Sequence, residues 1–221
     1  MTSFQNHIHS AMQAIANDAA AIAMRAYQRD QFEFLGVAAP ARRAVTMPLI
    51  KELKPASAEF LIAEAQGLWN FPQREYQYIA VDLLARHVKV LTGADIPALL
   101  NLAQQKSWWD TVDGLVKVIG AIAKADKTQQ SQMDAALLHP DFWIRRIAML
   151  HQLGWKGETD LIRLQHYARQ LAPEGEFFIR KAIGWALREY AWHDPAAIRA
   201  FLLGMGDQLS PLSRREAAKH L

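Results

Sequence analysis

The feature that most restricts how this chain can fold is a repeat. Small residues stand at Ala80, Gly114, Ala148, Ala182 and Ala217, at spacings of 34, 34, 34 and 35 residues. Trp109, Trp143 and Phe177 precede three of them by five positions, and Arg146, Arg180 and Arg215 precede the last three by two. A period of this length accommodates two helices and their turns, and one small residue per period lets neighbouring helices approach closely.

Composition and punctuation agree. Of 221 residues 51% are hydrophobic, enough for a continuous core, and 11 Gly and 9 Pro are too few for a turn-rich β architecture. Helix starts are marked after Ser57, near Pro72, near Asp95, at Ser107, around Thr128, after Pro140, after Glu158, near Gly175 and after Asp194. Near the end, Ser210 is placed to cap and Pro211 to take the first helical position. Pro48 is expected to bend or divide its helix. About a dozen short helices result. The expected fold is all-α, a right-handed α-α superhelix of about six helical pairs resembling the HEAT and armadillo class. It is expected to form one domain over 1–221, with one helix of each pair lining a concave face.

The absence of cysteine excludes disulfides and thiolate metal sites and suits a reducing cytoplasm, which is the expected location. The opening "MTSFQNHIHSAMQAIAND" has no basic segment leading into an apolar core, and no stretch nears the roughly 18 apolar residues that cross a bilayer, so no membrane association is expected. His7 and His9 point to different helix faces and no His-Glu-x-x-His spacing occurs, which argues against a metal. No phosphate-binding glycine loop appears, and no cofactor is expected. A polar last helix, "SRREAAKHL", lets a solenoid end without a partner, and a monomer is expected. The net charge of +3 sits entirely in the last stretch: residues 139–221 hold 12 Lys and Arg against 9 Asp and Glu, and the remainder is balanced at 13 each. An anion-binding face there would require this.

The position just before the small residue reads Ile79, Asp113, Ile147, Lys181, Glu216, so its character is not fixed by packing. Trp109 lies four residues before Asp113 and shares its helix face. "FFIRKAIGWALREY" places Lys181, Trp185 and Arg188 at steps of four and three, and "HPDFWIRRIAMLHQL" adds Arg145 and Arg146. Cations and indoles suit a nucleic-acid backbone, because arginine pairs with phosphate and tryptophan packs on sugar or base. A carboxylate among them repels phosphate. Cleavage of an N-glycosidic bond would use it, since a fixed anion stabilises an oxocarbenium-like sugar and orients water.

On "AYQRDQFEFLG", "SWWDTVDGL", "FWIRRIAMLHQL", "EFFIRKAIGWALREYA" and "PLSRREAAKHL", the chain resembles the AlkD family of DNA alkylation-repair glycosylases over nearly its whole length. The resemblance implies a C-shaped stack of HEAT-like repeats that grips double-stranded DNA. It also implies release of cationic alkylated purines such as N3-methyladenine and N7-methylguanine, without base flipping. Residue by residue, it makes Asp113 the catalytic carboxylate and sets Trp109, Trp185 and Tyr27 against the lesion nucleotide's backbone. Arg146 would hold a phosphate near the reacting sugar, and Arg188 would support DNA binding. No departure occurs at these positions.

Blander roles fit the neighbours. Trp108 reads as packing, Trp143 and Phe177 as contacts between repeats, Asp110 as a dipole-stabilising residue, and Arg145 and Arg180 as solvated charges. The catalytic reading requires that the Asp113 carboxylate face a groove and not be locked in a permanent ion pair. The rival is a non-catalytic solenoid that binds DNA structures or a protein.

Overall fold

The computed structural model describes residues 1–54 and 56–221. Among these, regular structure is helical apart from one isolated bridge, Glu33 to Gln73. The α-helices are α1 (Ser3–Gln13), α2 (Asp18–Tyr27), α3 (Ala39–Glu52), α4 (Ala58–Trp69), α5 (Arg74–Arg86), α6 (Ile96–Ala103), α7 (Trp109–Ala125), α8 (Gln130–Ala136), α9 (Phe142–Leu150), α10 (Leu161–Leu171), α11 (Phe177–Ala191), α12 (Pro195–Met205) and α13 (Pro211–Ala217). Short 3₁₀ turns punctuate them. No helix among the described residues is long and apolar enough to cross a membrane.

Most starts follow from short polar side chains that accept an otherwise orphaned amide. Ser57 accepts from Phe60, Asp141 from Trp143, Asp160 from Arg163, and Asp194 from Ala197 ahead of Pro195. Ser210 accepts from Ser213 with Pro211 in the first turn, as its sequence announces. Of the two outcomes expected at Pro48, division does not occur: α3 runs through it as one helix. Its Arg42, Thr46 and Ile50 are buried on one side, and that packing holds the helix across the missing amide.

The chain forms two compact units, Met1–Leu102 and Ala103–Leu221. In the first, α1 packs on α3 and α4, and α5 packs on α3 and α4, around Ile8, Leu61, Leu68, Trp69, Ile79 and Leu83. Glu75 is buried at the start of α5 and accepts the amides of Leu35, Gly36 and Val37, which fixes the loop between α2 and α3.

In the second unit α7, α9, α11 and α13 follow one another in contact, while α8, α10 and α12 pack on α9 and α11. This is helical-pair stacking of the HEAT and armadillo kind. The periodic Ala148, Ala182 and Ala217 are fully buried, as is Ala80 in the first unit, whereas Gly114 is half-buried. Small side chains at these positions suit close helix crossings. At two further crossings only a bare backbone fits. A Cβ on Gly120 would collide with the His151 carbonyl, and one on Gly184 with Glu216 and the Ser213 carbonyl.

One packing expectation needs correction. Trp143 is buried between helices, but Phe177 is 54% exposed. Its neighbour Phe178 takes the inward position instead, 4.8 Å from the Trp143 ring and 5.4 Å from that of Trp108. Phe177 is the first residue of α11, where its ring projects before the helix is covered, and the 34-residue register does not sense that.

Candidate active site

Helix α7 begins at Trp109 without a side-chain cap from Trp108. Asp110 accepts the Thr111 amide at 2.8 Å, the first-turn role its position suggests. One turn after Trp109, Asp113 projects from the half-buried side of the helix. Arg146 of α9 meets it with two parallel bonds: Nε donates to Oδ1 at 2.8 Å and Nη2 to Oδ2 at 2.8 Å. The third arm, Nη1, donates to the Phe178 carbonyl of α11 at 2.6 Å. One guanidinium therefore ties three stacked helices together.

This arrangement departs from two expectations. Asp113 is in an ion pair, and Arg146 spends its fork on that carboxylate instead of presenting it to a phosphate. The register explains both. Asp113 and Arg146 stand 33 residues apart, one repeat less a single position, so neighbouring helices of the stack bring them face to face. A carboxylate with only 17% of its side chain exposed would be costly without such a partner.

The pair is asymmetric. The Arg146 side chain is 5% exposed and that of Asp113 17%, so the aspartate is the more accessible partner. Each carboxylate oxygen has two lone pairs, and the fork engages one of each. The others remain for a water or a developing positive charge. Burial pushes the Asp113 carboxyl above its ordinary range. The bonds and charge of Arg146 act in the opposite sense, Asp110 raises it further, and Lys117 lowers it. The site can thus offer a fixed, partly desolvated carboxylate whose plane is set by arginine.

Trp109 and Trp185 are both half-buried, on α7 and α11. Trp108 packs on Trp143 and Phe178, as expected of it. Tyr27 ends α2 in the first unit, with an exposed ring. Arg188 does not stand open. It donates to Glu216 Oε2 at 2.7 Å, on α13. Arg145 and Arg180, expected to be solvated, are structural instead. Arg145 forks onto Glu174 at 2.8 and 2.9 Å, and Arg180 donates to the Glu174 carbonyl at 2.9 Å. Two participants were missed from sequence, Phe178 and Glu216. Phe178 acts through its carbonyl, which no side-chain pattern advertises. Glu216 stands in the same repeat position as Asp113, a signal that could have found it.

Comparison with known proteins shows the family to which the chain belongs. Residues 8–221 match the model of a family described as DNA alkylation repair enzyme. A solved structure described as a predicted DNA alkylation repair enzyme from Enterococcus faecalis is 34% identical, with a TM-score of 0.88 over 93% of this chain and 96% of that one. A search of curated proteins finds no match. The matched span contains Asp113, Arg146 and both half-buried indoles, and the chain belongs to the AlkD-type DNA alkylation repair enzymes, a glycosylase family.

Proposed function

We propose that the chain hydrolyses the N-glycosidic bond of cationic alkylated purines in duplex DNA, N3-methyladenine, N7-methylguanine and bulkier N3 or N7 adducts among them. Asp113 is the residue on which the chemistry turns. As the bond between the sugar C1′ and the purine nitrogen breaks, its electron pair leaves with the base. The base was a cation and departs neutral, so no general acid is required and one carboxylate suffices where ordinary glycosides need two. Positive charge grows on the sugar, and a preorganised anion stabilises it more than the neutral-sugar ground state. Water then adds to C1′, oriented by a free lone pair of Asp113, and its proton passes to the carboxylate or solvent. An abasic site remains.

Arg146 is a positioning residue in this reading. It acts through Asp113 by holding the carboxylate plane. Trp109 and Trp185 pack on the lesion nucleotide's backbone, Tyr27 contributes a further backbone contact, and Arg188 supports DNA binding. The base is not flipped into a pocket, so bulky adducts are accommodated.

The observation that carries the reading is a carboxylate, 17% exposed as a side chain, that burial makes reluctant to ionise and arginine clamps in place. Incubation with duplex containing N7-methylguanine and chromatography of the released base tests it; release no faster than spontaneous depurination overturns it. The Asp113–Arg146 ion pair runs against the condition set on the catalytic reading and favours one alternative, a solenoid that binds DNA without chemistry and uses the two residues as a strut between helices. Wild-type duplex binding without base release would establish that alternative.

A further inference from the structure

A second polar centre lies on α11 and α13. Glu216 is buried, with 8% of its side chain exposed, and three cations converge on it. Lys181 reaches Oε1 at 3.1 Å, Arg188 reaches Oε2 at 2.7 Å, and Lys219 approaches at 2.9 Å. They hold its carboxyl down at about 2, with Lys219 the largest contributor. Bare backbone makes the placement possible. Lys181, Gly184 and Arg188 follow one another along one face of α11, and the missing Cβ of Gly184 lets α13 lay Glu216 between the two cations.

Three positive charges around one negative leave an excess of two. A purely structural tie needs no such excess. The two ammonium groups are the outward members, 37% exposed at Lys181 and 48% at Lys219. Each ammonium carries three N–H donors, so both keep donors beyond the one aimed at Glu216. The carboxylate beneath draws the three heads together and limits their mutual repulsion, and a second anion above would find converging charge-assisted donors already in place. The same helix face carries Trp185, four residues after Lys181 and three before Arg188. An indole beside a cationic cluster suits a sugar-phosphate unit.

We propose that Glu216 is a positioning residue that gathers Lys181, Arg188 and Lys219 into a seat for one DNA phosphodiester next to Trp185. This rests on the DNA-binding part of the function above and not on base release. The expected outcome runs against simple charge counting. Glu216→Gln removes a negative charge from a DNA-binding protein, which by net charge alone should tighten binding. If Glu216 organises the seat, affinity for undamaged duplex falls by about tenfold. The slope of log affinity against log salt then becomes shallower by roughly 0.9, as expected when one phosphate is no longer neutralised.

The experiment is fluorescence-anisotropy titration of an undamaged duplex over a salt series, with wild type, Glu216→Gln, Glu216→Asp, Lys181→Ala and Lys219→Ala, each checked by thermal melting. Glu216→Asp keeps the charge and should recover part of the slope. The two lysine variants change exposed side chains and provide the test if Glu216→Gln does not fold. Each should lower both affinity and slope. Tighter binding by a folded Glu216→Gln, or an unchanged slope in both lysine variants, overturns the proposal. Base release from lesion duplex, measured alongside, separates the two questions: a chain that binds with these slopes but releases no base loses the glycosylase reading and keeps this one.

Discussion

Asp113 and Glu216 occupy the same position of the repeat, each just before the small residue, on α7 and α13. Their circumstances are opposite. Glu216 faces three cations and its carboxyl is held at about 2. Asp113 faces one arginine, and burial outweighs that arginine, so its carboxyl is raised. The backbone position is shared, so the difference lies in what the neighbouring helix supplies. At Glu216 a surplus of positive charge makes the carboxylate an inert organiser. At Asp113 a single fork fixes orientation and leaves the anion hard to maintain. An anion that is costly to keep in its resting site gains most from positive charge arriving in a transition state.

Replacing each acid by its amide is the strongest test of that contrast. Asp113→Asn keeps shape and removes charge, and base release from N7-methylguanine duplex should fall by about 10²–10³-fold, the scale for removing one preorganised electrostatic group. Duplex affinity should hold or rise, since an anion has been removed from the proposed DNA-binding surface. Glu216→Gln should do the reverse, weakening binding more than it slows single-turnover release from bound DNA. If both amides slow the chemical step equally, the two carboxylates are not different in kind.

Arg146 gives the next largest effect. Arg146→Ala strands a mostly buried carboxylate, and chemical denaturation should show a loss of roughly 3 kcal/mol, the lower end for breaking a buried pair. Arg146→Lys keeps the charge but not the fork, and should be stable yet slow. With Arg146 gone, the main group that pulls the Asp113 carboxyl down is absent, so the acid side of the rate profile should move to higher pH. An unmoved profile would mean that the fork does not govern Asp113.

Acidification separates the two carboxylates without mutation. In the proposed mechanism Asp113 acts as the anion, and its carboxyl lies above the ordinary 3.8, so base release should fall as pH drops while still above the ordinary carboxylate range. Glu216 contributes stability above its ordinary 4.5, and that contribution disappears only as pH falls from there to about 2. His151 sets a limit on the comparison. It is buried among Trp155 and Tyr167 with its ring at about 4 instead of 6.5. The unfolded chain binds the proton first, so stability declines as pH falls between those values. Circular dichroism at each pH distinguishes a protonated Asp113 from an unfolding chain.

The sequence was informative where one residue type answers one physical need. Ser57, Asp194 and Ser210 announce helix starts because a short acceptor is what an orphaned amide requires. The period of about 34 announces stacked helical pairs because small residues must recur where helices cross, and Ala148, Ala182 and Ala217 do lie fully buried. Asp113 stood out as an acid on a face with an indole. Its partnership with Arg146 did not, although a separation one short of the repeat carried the information. Arg145 and Arg180 were misjudged because charge alone does not reveal that Glu174 lies within reach of both. Phe177 and Phe178 show the limit from another side, since adjacent identical residues differ only in which way the first turn of α11 faces.

The smallest effects sharpen the contrast most closely, because they come from charges beside Asp113 that leave its fork intact. Asp110 and Lys117 lie three residues before and four after it on α7, and they push its carboxyl in opposite directions. Asp110→Asn should shift the acid side of the rate profile down by roughly a few tenths of a pH unit, and Lys117→Met should shift it up by a similar amount. Lys117 is exposed, so its effect should fade as salt is raised toward 1 M, where screening acts over about 3 Å. Neither variant touches Glu216, and neither should alter melting behaviour at low pH. Shifts of the stated signs, measured on single-turnover base release with the fold intact, would assign the titrating group to position 113; shifts of equal sign in both variants would assign it elsewhere.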